Sequence, residues 1–211
     1  MNHRRFIAFA ALGAAACLAL SSCASASPGA PSSGSAPNAA LGAVDPGLPT
    51  GDVLAQGTVL DDGSGAELCL GAIQESYPPQ CSGIPLEGWS WEGLDGSETE
   101  GSVTWGAYAV QGTYDGDAFE LTQPPVMLAL FDPAMPVDPT GGKPGKGTES
   151  ELVGIQETLH DRLGAALLSS SVGDGWLWVD VLWDDGTWQD AADGEFGAGK
   201  IVIRSAMTEV D

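Results

Sequence analysis

The chain has 211 residues, with Lys+Arg 7 against Asp+Glu 29 and a formal net charge of −22. That length supplies one ordinary domain or two small ones. The charge excludes nucleic-acid binding, which needs a basic face to neutralise phosphates, and disfavours attachment to an anionic lipid surface by charge.

His3, Arg4 and Arg5 form a short basic start, and Phe6 to Leu20 is an uncharged apolar run. That run is about fifteen residues long, shorter than the roughly 20 a membrane-crossing helix needs. Leu20-Ser21-Ser22-Cys23 follows: an aliphatic residue, two small ones and a cysteine. This arrangement resembles the lipobox of bacterial lipoproteins. The resemblance implies diacylglycerol transfer to the Cys23 thiol and cleavage before it, so that residues 1–22 are a signal peptide and the protein faces outside the cytoplasm on a lipid anchor at the cell membrane. Two acyl chains make such an anchor stable. Residues 23–50, rich in Ala, Ser, Pro and Gly, cannot nucleate a core and read as a flexible spacer.

Residues 51–131 read as a β-rich unit. Val53 to Leu60 and Ala66 to Leu70 flank the turn signal Asp61-Asp62-Gly63-Ser64-Gly65. Val103 to Tyr114 alternates, with Trp105, Ala107 and Ala109 on one face and Tyr108, Val110 and Tyr114 on the other, before Asp115-Gly116-Asp117 turns it into Ala118 to Thr122. Short strands with glycines at their bends predict a small antiparallel barrel of OB-like type. Cys17 would leave with the signal and Cys23 would be acylated, which leaves Cys69 and Cys81 as one pair. In an oxidising compartment that pair predicts a disulfide. No histidine lies near either cysteine, so a metal site is not expected there.

The segment 68–93 is the most distinctive. Leu68-Cys69-Leu70-Gly71, Ser76-Tyr77-Pro78-Pro79, Cys81 and Gly88-Trp89-Ser90-Trp91 resemble a group of uncharacterised exported proteins from high-GC Gram-positive bacteria. The resemblance covers about a third of the chain and implies location more than chemistry.

Residues 132–148, with their prolines and glycines, read as a linker. Residues 149–211 then form a helix-plus-strands unit, making the fold α+β and mainly β. Thr148 and Glu151 predict a capping box, and Leu152, Ile155, Leu159, Leu163 and Leu167 make one apolar helical stripe. Trp176 to Trp183 is a predicted strand, Asp184-Asp185-Gly186 a hairpin turn, Thr187 to Ala191 the return, and Lys200 to Met207 a further strand.

Catalytic constellations are hard to find. Gly145-Lys146-Gly147-Thr148 fails as a phosphate-binding loop because glycine follows the lysine. Past the signal, His160 is the one histidine, and no G-x-S-x-G elbow accompanies it. No histidine cluster is available for metal catalysis. The Asp-Gly turns lack the full calcium-loop pattern and read as turn chemistry. The best candidate surface is Trp176, Trp178 and Asp180, which alternation puts on the face opposite Leu177, Val179 and Val181. Two indoles beside a carboxylate suit a sugar ring. The expectation is a non-catalytic binding or interaction module of the cell envelope, taking cell-wall glycan or another envelope protein, with no cofactor and no metal. The alternative is a wall glycan hydrolase using paired carboxylates.

Overall fold

The computed structural model describes residues 39–132 and 138–210. The expected signal peptide and Cys23 lie outside these residues. Among them, no helix is long and apolar enough to cross a membrane.

The N-terminal strands close a barrel. In chain order they are β1 (Val53–Asp61), β2 (Ala66–Cys69), β3 (Ile84–Glu87), β4 (Ser97–Glu100), β5 (Val103–Tyr114), β6 (Phe119–Leu121) and β7 (Val126–Met127). β1 pairs antiparallel with β5 from Val53↔Gly112 to Asp61↔Thr104, and its other edge takes β2. β2 pairs with β3, β3 runs parallel to β6, and β6 returns to β5, so five strands form a closed ring. β4 and β7 pair with β5 outside that ring. The alternation of β5 holds in part: Tyr108, Val110 and Tyr114 are buried and Ala107 is exposed, but Ala109, expected on the opposite face, is buried as well, where β7 pairs with it. Val53, Val59, Leu68, Leu86 and Phe119 fill the same core. The Cys69–Cys81 disulfide is formed, tying the end of β2 to the loop before β3.

The second lobe contains α1 (Glu149–Gln156), α2 (Leu159–Leu163), β8 (Leu167–Gly173), β9 (Trp176–Val181), α3 (Thr187–Phe196), β10 (Ile201–Ser205) and β11 (Met207–Glu209). Thr148 caps α1 by accepting from the Glu151 N–H at 3.4 Å. The Glu151 carboxylate also pairs with Lys200 at 2.6 Å. The apolar stripe is buried as expected at Leu152, Ile155, Leu159 and Leu163, but the helix breaks at Glu157-Thr158 and Leu167 begins a strand. β8, β9 and β10 form a three-stranded sheet, β8 antiparallel and β10 parallel to β9.

Two sequence expectations need correction here. The hairpin runs from β8 through Asp174-Gly175 into β9, and the predicted return strand at Thr187 to Ala191 is the first half of α3. Asp184 explains the helix: its carboxylate accepts from the backbone N–H groups of Trp188 at 2.9 Å and Gln189 at 3.3 Å, satisfying orphan donors of the first turn. The second correction concerns residues 39–50. They lie along the second lobe rather than in a spacer, because Leu41 finds an apolar socket and is buried with Leu152, Leu163 and Ala192.

The two cores do not follow chain order. Leu41 belongs to the second lobe's core, while Leu182 and Met207, late in the chain, belong to the barrel's. β11 pairs with the start of β1, from Val53↔Glu209 to Ala55↔Met207. The segment 39–50 and β11 therefore cross between the lobes in opposite senses.

Candidate functional site

The β8–β9–β10 sheet has one covered face and one open face. Leu177, Val179 and Val181 point into the helices and are fully buried. Alternation sends Trp176, Trp178 and Asp180 to the other side, where all three are partly exposed. Parallel register sets Arg204 of β10 beside Asp180. The Arg204 Nε donates to Asp180 Oδ1 at 2.7 Å and its Nη2 to Oδ2 at 3.0 Å, a bidentate pair. Ser169 of β8 donates its hydroxyl to Oδ2 at 2.6 Å. The guanidinium also sits over the Trp178 ring, 5.0 Å from its centroid.

Trp176 lies 6.4 Å from Trp178 between ring centroids, the planes tilted by 51°. Its Nε1 donates to the Lys143 carbonyl at 2.8 Å, which fixes the indole's orientation. Beside it opens a hollow of about 210 Å³ lined by Pro139, Thr140, Asp193, Gly199 and Val202 as well as Trp176. Ser171 adds an exposed hydroxyl-bearing side chain on the β8 side, opposite Trp178. The face is thus a fixed aromatic wall next to a guanidinium–carboxylate pair and hydroxyl groups, with apolar and planar polar surfaces alternating across three strands.

The sheet's edges are closed. Gln156 of α1 donates to the Ser170 carbonyl at 3.0 Å on the β8 edge. On the β10 edge Gln189 of α3 donates to the Ile201 carbonyl at 3.1 Å and accepts from the Ile203 N–H at 2.9 Å.

Sequence reasoning named Trp176, Trp178 and Asp180 and missed Arg204, Ser169 and the two glutamines. A pairing of Asp180 with Arg204 requires knowing that β10 runs parallel to β9 in that register, and no local pattern carries it.

Other candidates are less open to chemistry. His160 is exposed and lines, with Asp117 and Gln74, a cleft of about 580 Å³ between the barrel and the 160–168 segment; Leu70, Ile84 and Leu168 supply apolar walls. Burial pushes the Asp184 carboxyl above its ordinary value, against the pull of its backbone hydrogen bonds. Asp61, Asp62 and Asp115 accept from backbone N–H groups of their own turns at 2.8–2.9 Å. These are the bonds of turn chemistry. Among the described residues, no three His, Cys, Asp or Glu side chains gather as metal ligands.

Comparison with protein-family models, curated proteins and solved structures gives no match to this chain.

Proposed function

We propose that this protein is a non-catalytic binding module of the cell envelope, held outside the cytoplasm by a diacylglycerol anchor on Cys23, and that the open sheet face binds cell-wall glycan. The observation that carries the reading is the fixed, partly exposed Trp176 next to Trp178, on whose far side the Asp180–Arg204 pair lies. An indole face stacks on the C–H face of a pyranose. The guanidinium–carboxylate pair and serine hydroxyls offer donors and acceptors to ring hydroxyls at fixed positions.

The alternative, a glycan hydrolase with Asp180 as one of two carboxylates, fits less well. Both oxygens of Asp180 accept charge-assisted or hydroxyl hydrogen bonds, so the group is poorly placed to protonate a leaving oxygen. Asp184 and Asp185 are likewise engaged by backbone N–H groups.

We further infer that the barrel is of OB type. The ring order β1-β2-β3-β6-β5 with a single parallel pair, β3–β6, supports this. OB barrels bind oligosaccharides on the face of strands 2 and 3, and here that side borders the 580 Å³ cleft.

The test is a thermal-melt and calorimetric screen against soluble wall-derived glycan fragments, comparing the wild-type chain with Trp176→Ala. Binding by the wild type, and at least a fivefold loss in the variant, is expected, since a stacking contact is worth about 1–3 kcal/mol by alanine substitution. Equal binding by both proteins would shift the site to the cleft. No binding by the wild type would leave the sheet face to a protein partner.

A further inference from the structure

Residues 39–50 are bound the way a peptide ligand is bound. Apart from the Thr50 hydroxyl, which donates to Glu209 at 3.2 Å, their polar contacts with the second lobe join side chains of that lobe to backbone atoms of the strap. The Glu195 carboxylate accepts from the Leu41 N–H at 2.8 Å, and Arg162 donates to the Leu41 carbonyl at 3.3 Å. The Trp188 indole N–H donates to the Val44 carbonyl at 3.0 Å, and that of Trp183 to the Gly47 carbonyl at 2.8 Å. Asp185 accepts from the Gly47 N–H at 3.0 Å. One side chain is anchored: Leu41 is 2% exposed, whereas Val44 and Leu48 are 51% and 56% exposed.

The fit also extends to residue size. A Cβ on Gly42 would meet the Arg162 carbonyl oxygen at 2.3 Å, and Gly42 has φ +80°, which favours glycine. Pro46 and Pro49 hold their own φ near the extended range, lowering the entropy lost on docking. Leu41 sits in a turn closed by the Ala43 N–H on the Ala40 carbonyl at 2.9 Å, so the groove holds a turn and the irregular segment after it, by backbone recognition plus one apolar pocket. Gly51 is the hinge between strap and barrel: the space around it is open, whereas Asp52 after it is held by Gln111, Thr122 and the Val210 N–H, and the Thr50 N–H before it donates to Glu209 at 2.9 Å, a bond that must open for the strap to leave.

We propose that this groove is a peptide site, filled in cis by the chain's own strap and, when the strap swings out at Gly51, by the strap of a second copy. Exchange of an identical element between copies needs no new contacts, because each groove meets the same sequence it already holds. The proposal is independent of the glycan reading, which concerns the other face of the second lobe's sheet.

The experiment uses the full chain carrying Leu41→Asp, which removes the anchor from the cis strap, and a fluorescein-labelled peptide of residues 39–50 with the wild-type sequence. Anisotropy should show the variant binding the peptide at least tenfold more tightly than the wild-type chain, whose own strap competes at an effective concentration of about millimolar. A labelled peptide carrying Leu41→Asp should bind neither. A variant that remains folded by circular dichroism yet leaves the wild-type peptide unbound overturns the site. Should the variant fail to fold, a wild-type chain with a protease site placed at the hinge is nicked and diluted into labelled peptide. Exchange of the nicked strap for the peptide supports the site, and a nicked chain that never exchanges overturns it. Light scattering of the wild-type chain at rising concentration reads the second copy directly: a dimer that Leu41→Asp lacks is expected, and a strict monomer rejects exchange between copies.

Discussion

Asp184 shows how much one side chain settles locally. It is half-buried, and burial pushes its carboxyl above the ordinary value while its bonds to the Trp188 and Gln189 N–H groups pull the other way. An amide at this position carries no charge to desolvate and keeps the shorter bond, from the Trp188 N–H, but turns its NH2 toward the Gln189 N–H and loses that one. Asp184→Asn is therefore expected to cost less than Asp184→Ala, which removes both acceptors and should cost about 1–2 kcal/mol. Urea denaturation of the two variants distinguishes the terms, and equal losses would show that the charge rather than the acceptor holds α3. The same residue explains a sequence misreading. Asp-Asp-Gly followed by Thr187 to Ala191 fits a hairpin turn and return, and five residues are too few to separate period 2 from period 3.6. Capping bonds reach forward to Trp188 and Gln189, so the element that follows decides what the aspartate does. At Trp176, Trp178 and Asp180, by contrast, a six-residue alternating strand made the exposed face legible, and burial follows it residue by residue.

At the scale of elements, the small sheet is held between two helices that do more than cover its apolar face. Gln189 satisfies both an acceptor and a donor on the β10 edge, and Gln156 one acceptor on the β8 edge. Removing the Gln189 side chain leaves the Ile201 carbonyl and the Ile203 N–H, both in part-buried bonds, without their partner. Gln189→Ala should cost about 1–3 kcal/mol, the desolvation penalty of such groups. Gln189→Glu keeps the acceptor for Ile203 but sets a carboxylate oxygen against the Ile201 carbonyl, so its loss should be at least as large as the alanine variant's. Hydrogen exchange at Ile203 is the direct reading: faster exchange in the alanine variant is expected, and unchanged protection would mean that α3 shields the edge by packing alone. None of this was visible in sequence, because a glutamine on a helix carries no mark of the strand edge it will meet. The barrel's strands were more legible where alternation was long, as in β5, than where strands are short, as in β3, β4 and β7. Its closure depends on the parallel β3–β6 pair between residues more than thirty apart, which no local pattern announces.

For the whole molecule, the decisive feature is that each lobe borrows a segment from the far end of the chain. Composition made 39–50 look like the end of a spacer, since Ala, Pro and Gly dominate it and its large side chains are few. A single leucine with a socket is enough to dock such a segment, and sequence periodicity cannot register one residue. Two different forces hold the strap, and they respond differently to pH. Leu41 is held by burial, so Leu41→Ala should cost about 2–5 kcal/mol at any pH where the fold persists. Glu195 is held by charge. Its partial burial raises its pKa, but the bonds from Arg162 at 2.9 and 3.0 Å and from the Leu41 N–H outweigh this and leave the carboxyl below its ordinary value of 4.5. A carboxyl with a lowered pKa in the folded state stabilises that state fully above its unfolded value and loses the contribution as pH falls through the folded one. Glu195→Gln should thus melt below the wild type at pH 7 and approach it near pH 3, while Leu41→Ala stays below at both. Arg162 also stacks over the Phe196 ring, 5.4 Å from its centroid, so the guanidinium remains in place when Glu195 is neutralised. A Glu195→Gln deficit that persisted unchanged in acid would therefore point to the shape of the hydrogen-bonded clamp, and not its charge, as what keeps the strap in its groove.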